Sequence, residues 1–187
     1  MTIAKLLKEY KLSNVVLDPV LASTSGATFL KSEGLTILCR ELMPLVRLVT
    51  PNIPEAMQIL GISGGDIDME EVAKALAERC KTSVLLKGGH KKGATERGQT
   101  SDMLCDKERG GEITVYSHEY IDTPNTHGTG CTLSTAIASY MATEGDCTLG
   151  EIVSKAHDYV SGAIKGAARY EIGKGHGPLD HFWKLWK

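Results

Sequence analysis

Short apolar runs that alternate with helix-periodic segments constrain this chain more than any other feature. Val15-Val16-Leu17, Leu48-Val49-Thr50 and Ser83-Val84-Leu85-Leu86-Lys87 read as buried strands, stopped by Asp18-Pro19, Pro51 and Gly88-Gly89. Between them lie helical patterns. Ile3, Leu6, Leu7 and Tyr10 fit one face of a short helix, and Leu35, Leu38, Leu42 and Leu45 fit a helix over 33–45. Pro54 suits the first turn of a helix over 55–60 that Gly61 ends. Asp68 with Glu71 is a capping pattern opening a helix to about Cys80. Strands that alternate with helices imply a mostly parallel sheet with helices on its faces. Segments 103–105 and 113–116 flank Arg109-Gly110-Gly111 and read as one antiparallel hairpin, which makes the sheet mixed. Residues 91–99 read as a polar loop, and helices follow at about 130–143 and 149–170, the second opened by Thr148 and Glu151. With no internal repeat, low-complexity tract or linker, residues 1–187 are expected to form a single α/β domain.

Charge and composition exclude several function classes. The net charge of −2 gives no electrostatic case for nucleic acid or a membrane surface. No apolar run approaches membrane-spanning length, and the first residues mix charge into a helical pattern unlike a signal peptide. Five widely spaced cysteines, with no C-x-x-C pair, argue against a disulfide framework or a zinc site and for a cytoplasmic location. Cys39, Cys80, Cys105 and Cys147 read as inert packing residues, and His90, His118 and His157 as packing or surface residues.

Chemistry concentrates where strands end. In an open α/β sheet, ligands bind beyond the carboxyl ends of the strands. Asp18-Pro19, Thr50-Pro51-Asn52 with Glu55, Lys87-Gly88-Gly89-His90 and the turn Gly128-Thr129-Gly130-Cys131 are all expected at such ends. Each has a plainer reading: Asp18 can shape a turn, Asn52 and Glu55 can cap the next helix, and Lys87 can be a solvated strand tip. The fourth feature is the most specific. The first amides of a helix lack internal partners and carry partial positive charge, so a glycine-rich turn into a helix suits an anion. Cys131 closes that turn, where the dipole favours a thiolate. Thr126 and His127 precede it and can reach phosphate oxygens or merely order the loop. The lysine of the common phosphate loop is missing, and Leu133 stands where G-x-G-x-x-G needs its third glycine.

Five segments taken in order resemble a known family. They are Val16-Leu17-Asp18-Pro19-Val20, Thr50-Pro51-Asn52-x-x-Glu55-Ala56, Leu86-Lys87-Gly88-Gly89-His90, Asn125-Thr126-His127-Gly128-Thr129-Gly130-Cys131-Thr132-Leu133-Ser134 and Gly175-His176-Gly177-Pro178. Together they look like the hydroxymethylpyrimidine/phosphomethylpyrimidine kinases of thiamine synthesis, within the ribokinase-like superfamily. Related sugar and pyridoxal kinases usually carry Asp where this chain has Cys131.

The resemblance implies ATP and Mg²⁺ as cofactors and a small pyrimidine as acceptor. It makes the amides of Gly128, Thr129, Gly130 and Cys131 an anion hole and Cys131 the general base. It puts Lys87, Asn52, Thr126, His127 and, near the nucleotide, Gly175 in cofactor binding. It gives Asp18, Asn52 and Glu55 to the metal. Family members begin with strands and a glycine-containing segment that supply much of the acceptor pocket, and nothing here matches them. The chain therefore reads as the C-terminal portion of such a kinase, with an exposed strand edge that invites a homo-oligomer. Two alternatives stay open: a catalytically incompetent nucleotide-binding module, and a pyridoxal kinase-like enzyme.

Overall fold

The computed structural model describes residues 2–21, 29–64, 68–89 and 99–185. They group into two compact units, Met1–Lys91 with Ser101–Tyr116, and Lys92–Thr100 with Ser117–Lys187.

The first unit is built around a sheet. Strands β1 (Val16–Leu17), β2 (Leu48–Val49), β3 (Ser83–Leu86), β4 (Gln99–Asp106) and β5 (Glu112–Glu119) lie in the order β1-β2-β3-β4-β5. β1, β2 and β3 are parallel, with Val16 beside Leu48 and Leu48 beside Ser83. β4 runs antiparallel to β3, pairing Leu86 with Met103. The expected mixed sheet is present, and its hairpin is longer than the apolar residues alone suggested. The helices of this unit are α1 (Thr2–Tyr10), α2 (Ser32–Ile37), α3 (Ile53–Leu60) and α4 (Met69–Cys80). Val49, Val84 and Leu86 of the sheet, Ala56 and Ile59 of α3, and Ala73, Leu76 and Cys80 of α4 share one buried cluster. Gly61 ends α3 in the left-handed conformation at φ 71°, which glycine adopts without steric cost.

The helix expected over 33–45 is not continuous. α2 stops at Ile37, a π-helical turn covers Leu38–Leu42, and a 3-10 turn covers Met43–Leu45. Pro44 accounts for the break: it has no N–H to donate back to Arg40, and its ring crowds that carbonyl. Met43 is still fully buried, so the apolar face survives the change of helix type.

The second unit is helical. α5 (Thr129–Thr143) packs on α6 (Leu149–Ala167). The Thr148 hydroxyl takes the Glu151 amide while the Glu151 carboxylate takes the Thr148 amide, a reciprocal cap that starts α6. α6 ends three residues before the expected position. Asn125, itself buried, donates from Nδ2 to the carbonyls of Ala167 and Tyr170, each at 2.7 Å, so a distant side chain closes the helix. The C-terminal segment lies along α6. Asp180 N donates to Ala163 O, and a Cβ on Gly162 would run into the Trp183 indole.

Candidate active site

Three of the four expected polar features stand together in the first unit. Because β1, β2 and β3 are parallel, their carboxyl ends share one edge, and Asp18, Thr50 and Lys87 follow them there. Lys87 Nζ pairs with Asp18 Oδ1 at 2.8 Å, and both side chains are largely buried. Thr50 Oγ1 donates to the same carboxylate oxygen at 3.0 Å. The Lys87 backbone is fixed as well: its N–H donates to Pro51 O at 2.8 Å, and it forms a parallel bridge with Asn52.

Asn52 and Glu55 form the N-terminal cap of α3. Asn52 Oδ1 accepts the Glu55 N–H at 2.9 Å and Glu55 Oε2 accepts the Asn52 N–H at 2.8 Å. The plainer reading of these two residues therefore describes real hydrogen bonds. Glu55 is nonetheless unusual, being only 7% exposed. Burial pushes its carboxyl up from the ordinary range, while the Asn52 amide and the Lys87 charge draw it back. Among the described residues no three His, Cys, Asp or Glu side chains converge to cage a metal. Two carboxylates beside an amide do suit Mg²⁺, which keeps several waters and binds through one or two carboxylates plus substrate phosphates.

The fourth feature lies in the second unit and does not follow a strand. β5 ends at Glu119, and among the described residues only an isolated bridge between His127 and Pro178 precedes the turn. Pro124 offers no N–H for a ladder, and Thr126 N turns back to Pro124 O. Gly128 is the N-cap of α5 at φ 83°, a left-handed conformation, and no side chain caps that helix end. The Thr129 hydroxyl and amide both reach back to Thr126 O. His127 N donates to Gly177 O at 3.0 Å, which brings the segment after Gly175 alongside the turn. Cys131, in the first turn of α5, is exposed. Thr135, Ser139 and Tyr140 of α5 join Tyr159 of α6 in lining an open cavity of about 380 Å³ beside it.

Of the remaining candidates, Cys39, Cys80 and Cys105 are buried, in line with packing roles. Cys147 is half-buried and touches Lys155 and Glu144. His118 and His157 stack on each other, and His90 and most of the polar 91–99 loop lie outside the described residues. Sequence reasoning missed Asp102, a buried carboxylate on β4, and the closing role of Asn125. The Asn125 signal was present, since the residue sits in the quoted motif. Asp102 gave none, because a polar strand start looks like a loop.

Three short parallel strands of a mixed sheet feeding polar residues to one edge, with an uncapped glycine turn opening a helix, define an α/β fold of the ribokinase-like class. The solved structure of Bacillus subtilis pyridoxal kinase in complex with ADP is similar, with a TM-score of 0.80 and 32% identity over 98% of this chain and 64% of that one. Phosphomethylpyrimidine kinase from Clostridium difficile has a TM-score of 0.68 and 36% identity, over 87% of this chain and 62% of that one. The chain belongs to the family described as phosphomethylpyrimidine kinase, whose model matches residues 1–180. Among curated relatives, hydroxymethylpyrimidine/phosphomethylpyrimidine kinase of Rhizobium meliloti is 41% identical over 174 residues, which is 92% of this chain. The chain spans 62% of the length of that relative. No helix among the described residues is long and apolar enough to cross a membrane.

Proposed function

We propose that this chain supplies the nucleotide side of an ATP-dependent kinase that phosphorylates hydroxymethylpyrimidine and its monophosphate. The observation that carries the reading is the start of α5: a glycine N-cap at positive φ, no side-chain cap, and an exposed thiol one turn in. Phosphoryl transfer passes through a loose, charge-rich transition state, so positioned amides contribute more than covalent chemistry. The amides of Gly128, Gly130 and Cys131, with that of Thr129 once it leaves Thr126 O, would hold the oxygens of the transferring group. Cys131 would take the proton of the attacking hydroxymethyl oxygen. An alcohol is a much weaker acid than a thiol, so that proton leaves late and the base contributes less than the amides.

Lys87 would meet nucleotide phosphates in exchange for part of its contact with Asp18. Thr126, His127 and the segment at Gly175 would border the nucleotide. Asp18, Asn52 and Glu55 would hold Mg²⁺ through its waters, and the chemistry it supplies when bound is neutralisation of phosphate charge. The presence of the family's nucleotide-side segments supports ATP as donor, as does ADP in the Bacillus subtilis relative. A pyridoxal acceptor is the second reading, favoured by the likeness to that same pyridoxal kinase.

ATP consumption measured with hydroxymethylpyrimidine and with pyridoxal in parallel tests both acceptors. Turnover with the pyrimidine alone is the expected result, and turnover with pyridoxal alone would overturn the first reading. Nucleotide binding without turnover on either would favour an incompetent binding module. Cys131→Ala should lower turnover by about 10²-fold or more, the usual worth of a general base, with nucleotide affinity little changed. Equal turnover in the variant would remove the base role.

A further inference from the structure

We propose that Asp102 is a positioning residue for Lys87, acting through the Gly88 amide. This inference rests on the reading of Lys87 as a nucleotide-phosphate contact.

The β3–β4 register pairs Val84 with Cys105, Leu85 with Leu104 and Leu86 with Met103. Continued by one step, it sets Lys87 across from Asp102, just where β3 has ended. At that point the two strands are too close for ordinary side chains: a Cβ on Gly88 would run into the Ser101 carbonyl oxygen. Asp102 Oδ1 accepts the Gly88 N–H at 2.8 Å. Asp102 is buried, and Lys87 supplies the neighbouring positive charge.

Lys87 is thus gripped through its backbone on both flanks. On the β2 side its own N–H goes to Pro51 O. On the β4 side the next N–H goes to Asp102. A long lysine side chain serves an anion well only if its Cα is fixed, because its four rotatable bonds otherwise spread the ammonium over many positions. A carboxylate is a costly acceptor to bury, and an ordinary ladder carbonyl would serve a purely structural need.

The test uses the purified full chain, with ADP and magnesium chloride as the probe, titrated by calorimetry. Asp102→Ala should weaken ADP binding by about tenfold, the worth of one hydrogen bond to a charged group. Asp102→Asn keeps an acceptor oxygen and should retain most of the affinity. In a Lys87→Ala background, Asp102→Ala should have no further effect, because the two residues act along one route. A merely structural role would instead add its loss to that of Lys87→Ala, and such additivity would overturn the proposal. So would unchanged affinity in Asp102→Ala while Lys87→Ala binds weakly. If Lys87→Ala itself binds ADP as the wild type does, the reading of Lys87 has failed and the proposal falls with it. Should Asp102→Ala not fold, the Gly88 amide proton of the wild type is followed by NMR across the Asp102 titration. A resonance that moves with that carboxyl supports the contact, and one that does not move refutes it.

Discussion

Acid should destabilise the second unit through one buried imidazole. His157 of α6 stacks on His118 of β5, with ring centroids 4.1 Å apart. Burial, and secondly the neighbouring His118, push its pKa from 6.5 down to about 3. Between those values the unfolded chain binds a proton that the folded one refuses. The stability is therefore complete above the unfolded pKa and is lost as pH falls through it. From about pH 7.5 to about pH 5 the loss is about 2 kcal/mol, or roughly 4–8 °C in Tm for a chain of this size. The wild type alone does not isolate this effect. Burial holds the Asp102 carboxyl up at about 6, so it takes a proton while folded over the same range. That offsets about 1 kcal/mol of the loss.

The clean measurement is the Tm difference between wild type and His157→Leu, recorded at several pH values. Leucine fills the site without a titrating nitrogen, and the altered packing shifts the variant by an amount independent of pH. The advantage of the wild type over the variant should shrink by roughly 4–8 °C between about pH 7.5 and about pH 5. A difference that stays constant with pH would refute the assignment of a neutral, proton-refusing His157.

Proton linkage runs in reverse at Asp102. Its raised carboxyl means that its charge costs stability above the unfolded pKa of 3.8, growing until about 6. Asp102→Asn should therefore raise Tm near neutral pH, with the gain shrinking as pH falls and disappearing only below the unfolded pKa of 3.8, where both states hold the proton; a gain that does not vary with pH would contradict this. Asn125→Ala should cost about 2–4 kcal/mol, since it strips two carbonyls at the end of α6 of their donor. Denaturant unfolding reads the cost, and faster amide exchange confined to the last turn of α6 would identify its source.

Much of the first unit was legible because its signals are local. Pro54 and Gly61 bracket α3, Asp68 accepts the amides of Glu70 and Glu71 to open α4, and each short apolar run became a strand. What escaped was set by partners far along the chain. The end of α6 depends on Asn125, more than forty residues away in sequence. β4 begins at Gln99 although its first residues are polar, because the strand is hydrogen-bonded to β5 beside it, which no propensity reports. The regular spacing of leucines over 35–45 argues for one helix and takes no account of Pro44, at which the helix breaks down. At the site, Asp18 and Lys87 were legible as separate strand tips, whereas their ion pair and the Thr50 hydrogen bond required the parallel register to align the three strand ends.

Gly162, the glycine of α6 that the Trp183 indole lies against, has a thermodynamic corollary. One interior glycine weakens a helix by about 1 kcal/mol relative to alanine. Here it leaves the hollow that the indole fills. The helix and the tail are therefore mutually dependent: peeling the tail away would expose a stretch with poor intrinsic helicity, and melting that stretch would remove the tail's seat. Proteolytic clipping near the end of the chain should then be felt as fraying of the last two turns of α6, not as a change confined to the terminus.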